Sequence, residues 1–140
     1  MTAEVRVLGW GEADVLRRVA PGVFDHDLRS DSLAAFFSDA RHHLAVALDG
    51  GVVVGMASGF HYVHPDKPPE LFINEVGVAD DYQGQGLGRR VLDALLAHAR
   101  SLGCVAAWVL TEEDNRAARR LYASAGGEEQ PGVVMSLFEL

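Results

Sequence analysis

Residues 71–102 read LFINEVGVADDYQGQGLGRRVLDALLAHARSL. Leu71 to Val78 forms an apolar strand pattern that runs straight into the glycine-rich stretch 82–88. Beyond it Leu87, Val91, Leu92, Leu95, Leu96, Ala99 and Leu102 recur at helical spacing, with Arg89, Arg90, Asp93 and Arg100 between them. Gly103 then stops the helix as a C′ glycine does. A strand, a glycine turn and an amphipathic helix in immediate succession predict an α/β layer fold.

Working outward, Val5 to Leu8 and His43 to Leu48 read as strands, and Asp49-Gly50-Gly51 as the turn into a partner strand, Val52 to His61. Glu12 to Ala20 has a helical look. Ser30 or Asp31 can cap a second short helix holding Leu33, Ala34, Phe36 and Phe37. The stretch 64–70, HPDKPPE, carries three prolines and reads as a loop. Val105 to Leu110 is an apolar strand, Asn115 opens a last helix that Gly126-Gly127 ends, and Val133 to Phe138 is a closing strand. The expected order is β-α-α-β-β-β-α-β-α-β: one domain, residues 1–140, with a mixed, mostly antiparallel central sheet and about four flanking helices.

The chain has 140 residues, 49% of them hydrophobic and 23% charged, an ordinary globular balance that excludes disorder. Twenty acidic residues face twelve basic ones, a net charge of -8. That argues against a nucleic-acid groove and suits a cationic partner. No apolar run approaches a membrane span, and MTAEVRVLGW does not read as a leader, so no membrane role and a cytoplasmic location are expected. The lone cysteine, Cys104, rules out an intrachain disulfide and reads as a small buried hydrophobe. His42 and His43 are adjacent on a strand and point to opposite faces, so they do not share a metal, and no metal is expected.

The turn itself predicts an anion site. Gln83, Gly84, Gln85, Gly86, Leu87 and Gly88 put exposed main-chain N–H groups at a helix N-terminus, and Arg89 and Arg90 add positive charge; a diphosphate suits it. A P-loop would need Lys and Ser or Thr where Arg89 and Arg90 stand, and a dinucleotide fold would place its glycines early in a larger sheet.

Strand LFINEVGV, bend ADDY, and Gln83-x-x-Gly86-x-Gly88 together resemble the acetyl-CoA signature of the GNAT N-acetyltransferases. A second stretch, Asn115, Ala118, Leu121, Tyr122 and Gly126, resembles the family's second motif in the right order. The resemblance implies that amides from Gln83 through Gly88, with Arg89 beside them, hold the pyrophosphate. It implies that Val76 and Val78 pair with the pantetheine arm, that the Val78 amide polarises the thioester carbonyl, and that Asn115 and Ala118 contact the cofactor. Asn115 also reads as a plain helix N-cap. Tyr122 would be the general acid at the sulfur, and Glu75, the one acid in its apolar strand, the base for the acceptor amine, with Asn74 beside it.

For the acceptor, Asp25, Asp27, Asp31, Glu75, Glu112 and Asp114 suggest a negatively lined cleft. Within the family the chain is most similar to the aminoglycoside 3-N-acetyltransferase group, by its FDHD segment and the Val134-Met135 opening of its tail. This implies a cationic small-molecule amine as substrate, direct transfer, and a homodimer. The alternatives are a polyamine, a peptide or protein amine, or a coenzyme A-binding regulatory module without an acceptor.

Overall fold

The computed structural model describes residues 3–140. The chain forms two compact units, Met1–Leu110 and Thr111–Leu140. The first is built on a five-stranded sheet: β1 (Glu4–Leu8), β2 (His42–Asp49), β3 (Val52–His64), β4 (Lys67–Val78) and β5 (Ala106–Val109), in that spatial order. Pairing is antiparallel from β1 to β4, and β5 runs parallel to β4. This is the mixed, mostly antiparallel sheet expected. Asp49-Gly50-Gly51 turns β2 into β3, with both glycines at positive φ, 56° and 80°.

One face of the sheet packs against α2 (Leu87–Ser101), which buries Leu87, Val91, Leu92 and Leu95 against the strands. Gly103, at φ 86°, ends this helix as predicted. The other face carries α1 (Ser30–Ser38) and the loop before it. That loop lies so close that a Cβ on Gly77 would stand 2.1 Å from the Val23 carbonyl oxygen.

Four expectations are corrected. The predicted helix at 12–20 is a single 3-10 turn, Ala13–Arg17, because Arg18 and Ala20 instead bond through their backbones to Val53. Arg29, not Ser30 or Asp31, holds the N-cap position of α1, while Asp31 Oδ1 accepts from the Ser32 N–H. The proline-rich stretch belongs to the start of β4: Pro68 and Pro69 fall where the β3–β4 register is irregular, so their missing N–H groups cost no ladder bond, and the Pro69 carbonyl accepts from Val105. Val133 to Phe138 forms no strand; the segment finds no ladder partner, and without one its backbone has nothing to pair with. Among the described residues there are three α-helices beside the 3-10 turn at Ala13–Arg17, and none is long and apolar enough to cross a membrane.

In the second unit, α3 (Arg116–Ser124) begins as predicted: Asn115 Oδ1 accepts from the Ala118 N–H at 3.1 Å. Gly126, at φ 96°, and the Gly127 N–H bonded to the Tyr122 carbonyl close it. Arg119 bridges to Glu129 at 2.7 Å and donates to the Glu113 carbonyl.

His42 and His43 diverge as expected, with His42 open to solvent and His43 buried between sheet and α2. Its Nε2 meets His61 Nδ1 at 2.7 Å and its Nδ1 meets His98 Nε2 at 3.2 Å. The imidazoles run in series rather than converging on a point, and no metal cluster occurs among the described residues. Burial, then the neighbouring His98, His61 and His42 against a small opposing effect of Asp39, lower the His43 pKa from 6.5 to about 4. The unfolded chain therefore takes up a proton that the folded chain refuses as pH falls below about 6.5. Stability should be full above that value, decline as pH falls towards about 4 and then level. Urea midpoints measured at pH 7.5 and at pH 5 test this: the drop should shrink in His43→Phe, and an equal drop in both proteins refutes it.

Candidate active site

The site begins with one irregularity. Ser58 pairs with Glu75 but Gly59 pairs with Ile73, so Asn74 is an extra residue in β4. Leu71 and Ile73 point into the core beneath the sheet. Strict alternation would send Glu75 after them. The bulge reverses the parity and sets Glu75 opposite Ser58, on the face that carries α1. Glu75 is thus exposed on the sheet rather than locked in an apolar strand. Partial desolvation raises its pKa; the like charge of Asp25 and a hydrogen bond that protonated Glu75 donates to the Asp25 carboxylate raise it further, against an opposing effect of His26. Asp25 reaches it because the loop passes directly over Gly77.

Beyond Ile73, β4 has lost its second neighbour, since β5 pairs only with Glu70 through Ile73. The main chain from Asn74 to Val78 therefore has an open edge. Val78 pairs with Gly55 on the other side, and a short 3-10 turn, Asp80–Tyr82, leads into the glycine run. Gly84 and Gly86 lie at φ 76° and 79°, and a Cβ on either would meet nothing within 4 Å. Gly86 is the N-cap of α2 with no side chain closing it, so the first-turn N–H groups of the helix stay available. Gln83 reaches back to the Val78 carbonyl at 3.4 Å. A cradle of backbone amides with open space above it fits a diphosphate.

The two arginines after it are committed elsewhere. Arg89 Nε donates to Asp93 at 2.9 Å, and Arg90 donates to the Ala3 carbonyl at 2.8 Å. Of the predicted acidic residues, Asp25 meets Glu75, Asp27 is exposed, and Asp31 is held by Arg29 at 3.0 Å, which lowers its pKa. His61 faces α2 through His43, and His64 sits on an exposed hairpin against Asp66. Cys104 is half-buried, and burial raises its pKa. Ser58 and His26, beside Glu75, escape a reading of the sequence because strand register brings the first there and the loop over Gly77 the second.

In the second unit, Glu112, Glu113, Asp114, Arg116 and Arg119 line an open pocket. Tyr122 is half-buried on α3, and burial pushes its phenol pKa up, so the hydroxyl keeps its proton at neutral pH.

An open strand edge followed by a bare helix N-terminus is an arrangement suited to a phosphate-bearing ligand, and residues 12–126 match the Acetyltransferase (GNAT) family. The chain belongs to that family, whose acetyl donor is acetyl-CoA. It is 37% identical over 100 residues to the mycothiol acetyltransferase of Saccharopolyspora erythraea, a match that covers 70% of this chain and 31% of that protein. The chain thus spans about a third of that relative's length. A solved aminoglycoside acetyltransferase from an uncultured soil sample, in complex with sisomicin, superposes with a TM-score of 0.83 at 19% identity, covering 99% of this chain and 96% of that one. The aminoglycoside acetyltransferase AAC(6')-Iy, bound to a coenzyme A bisubstrate analogue, gives 0.77 at 17% identity over the full length of both chains. These similarities show the shared fold.

Site-resolved NMR titration should place the Glu75 carboxyl above its ordinary 4.5. Asp25→Asn should bring it part of the way down, because desolvation is the larger cause. A Glu75 that titrates at or below 4.5 in the unmodified protein would show that the two carboxyls do not meet.

Proposed function

We propose that residues 1–140 act as one acetyl-CoA-dependent N-acetyltransferase domain for a cationic small-molecule amine. In its most specific form, the acceptor is an aminoglycoside modified at the 3-amino group. The observation that carries the reading is Glu75: a carboxyl of raised pKa on an open sheet face, three residues before Val78, the glycine cradle following directly. The likeness in fold to aminoglycoside acetyltransferases supports the acceptor class. A second reading, an amine of the kind used by mycothiol acetyltransferases, draws support from the 37% identity to one of them.

The roles follow from the chain's own groups. Amides of Gln83 through Gly88 hold the pyrophosphate of the donor, the open β4 edge at Val76 and Val78 orients its arm, and Asn115 and Ala118 contribute from the start of α3. Bound acetyl-CoA supplies an activated acetyl thioester. Glu75 takes the proton of the acceptor ammonium, directly or through water, and its raised pKa brings it nearer the amine it must deprotonate. The Val78 N–H would be the group to stabilise negative charge on the thioester carbonyl oxygen. Tyr122, kept protonated by burial, would be the general acid for the departing thiolate. Asp25, Asp27, Asn74, Glu112 and Asp114 make the surroundings attractive to a cation. Asp31 is the weakest member of this set because Arg29 neutralises it. We place the enzyme in the cytoplasm as a homodimer, a state the exposed apolar side chains of the C-terminal tail favour.

Thiol release from acetyl-CoA across a panel of amines tests the function. Turnover with gentamicin-type drugs but not with peptides supports the first reading, and tight cofactor binding without turnover of any amine supports a regulatory module instead. Glu75→Gln should lower kcat about a hundredfold with unchanged affinity for the cofactor; a rate near that of the unmodified enzyme removes Glu75 from the mechanism.

Gly86→Trp places an indole in the cradle and should abolish coenzyme A binding in calorimetry while circular dichroism stays native. Binding that survives would put the pyrophosphate elsewhere.

A further inference from the structure

The α1-facing side of the sheet carries a surface that acetyl transfer to a simple amine leaves unused. His42, Phe60, Phe72 and Trp108 are direct register partners across β2, β3, β4 and β5. Their rings form an unbroken row, with centroids 5.8, 5.5 and 4.7 Å apart. Phe60 and Phe72 are half-buried and Trp108 is 43% exposed, so the row is a shelf rather than core. A contiguous aromatic surface of this kind on a soluble protein marks a binding site.

Carboxylates flank the shelf on both sides. Ser58, Phe60 and Tyr62 alternate along β3 and so share one face. Ser58 lies opposite Glu75, and Tyr62 opposite Glu70. At the far side the Trp108 indole N–H donates to the Tyr62 hydroxyl at 2.7 Å, and that hydroxyl donates to Glu70 at 2.9 Å. Glu70 retains lone pairs for another donor. Four residues of strand separate the two acidic rows, about 13 Å. On the near side a cavity of about 180 Å³, lined by Phe36, Leu44 and Ser58 among others, continues the apolar surface.

Resting on the reading of Glu75 as the base for the acceptor amine, we propose that the row selects acceptors whose ammonium groups are joined through rings. One amine sits at Glu75, the ring skeleton lies over Phe60, Phe72 and Trp108, and a second ammonium reaches Glu70. The charge arrangement alone would also admit a linear polyamine of the right length. The aromatic shelf adds what only a ring compound can use, contact between ring faces and edges, and its π faces favour the cations attached to them. Phe60, Phe72, Trp108 and Glu70 are therefore specificity-determining residues, separate from the proton-transfer groups.

The test compares neamine, two amino-substituted rings, with linear spermidine. Trp108→Leu should raise KM for neamine about tenfold with kcat unchanged and leave spermidine kinetics as they were, whereas Glu70→Gln, which removes the partner of the second ammonium, should raise KM for neamine about tenfold with kcat unchanged. Equal effects of Trp108→Leu on both amines, or no effect of either substitution on neamine, overturn the proposal. A second readout does not need turnover. The chain has two tryptophans, Trp10 and Trp108, so Trp10→Phe leaves Trp108 as the only one. Neamine should change its fluorescence saturably and spermidine should not. If neither amine is acetylated but neamine still reports at Trp108 and Glu70→Gln weakens it, the acetyl-transfer reading has failed and the shelf stands. If amines are acetylated while neamine leaves Trp108 silent, the shelf is overturned and the enzyme stands.

Discussion

A single inserted residue controls this molecule's chemistry. Asn74 breaks the alternation of β4, and every side chain after it lies on the opposite face from the one a regular strand would give it. Leu71 and Ile73 stay in the core, while Glu75 comes out beside Ser58. A buried Glu75 under α2 would be an uncompensated carboxylate in apolar surroundings. On the outer face it is partly desolvated and meets Asp25, and both effects make Glu75 hold its proton more tightly. Gly59 belongs to the same device, since a Cβ there would come within 2.5 Å of the Phe72 carbonyl.

Close backbone approach does comparable work elsewhere. The absence of a side chain at Gly77 lets the segment around Val23 rest on the sheet, which delivers Asp25 to the site. Gly84 and Gly86 serve differently, their φ of 76° and 79° shaping the turn before α2. That helix is anchored by its apolar face and by the imidazole series from His98 through His43 to His61. The amides at its start are thus presented by a rigid support, as positioning of a ligand for reaction requires.

Features encoded by a few adjacent residues are legible in the sequence itself. The Asp49-Gly50-Gly51 turn, the apolar stripe of α2, its Gly103 stop and the Asn115 cap each depend on local chemistry, and each stands where expected. The glycine cradle is legible for the same reason. What stays hidden depends on pairing between distant strands. The bulge at Asn74 cannot be seen without knowing that Ser58 faces Glu75, and Phe60, Phe72 and Trp108 become one surface only in register. Pro68 and Pro69 read as loop residues because the rule against proline in a sheet ignores an irregular ladder. The closing strand fails from the converse error: Val133 to Phe138 has strand composition but no neighbour to pair with.

That tail leaves Val133, Val134, Met135, Leu137 and Phe138 facing water. An oily, unpaired segment invites copies of the chain to stick to one another. What opposes this at neutral pH is mutual repulsion among molecules carrying a net charge of -8. The repulsion vanishes near the isoelectric point of about 5.1. Mild acid therefore removes the colloidal protection of the tail in the same range where the His43 interface weakens, so precipitation rather than clean unfolding is the expected fate of this protein in an acidified compartment.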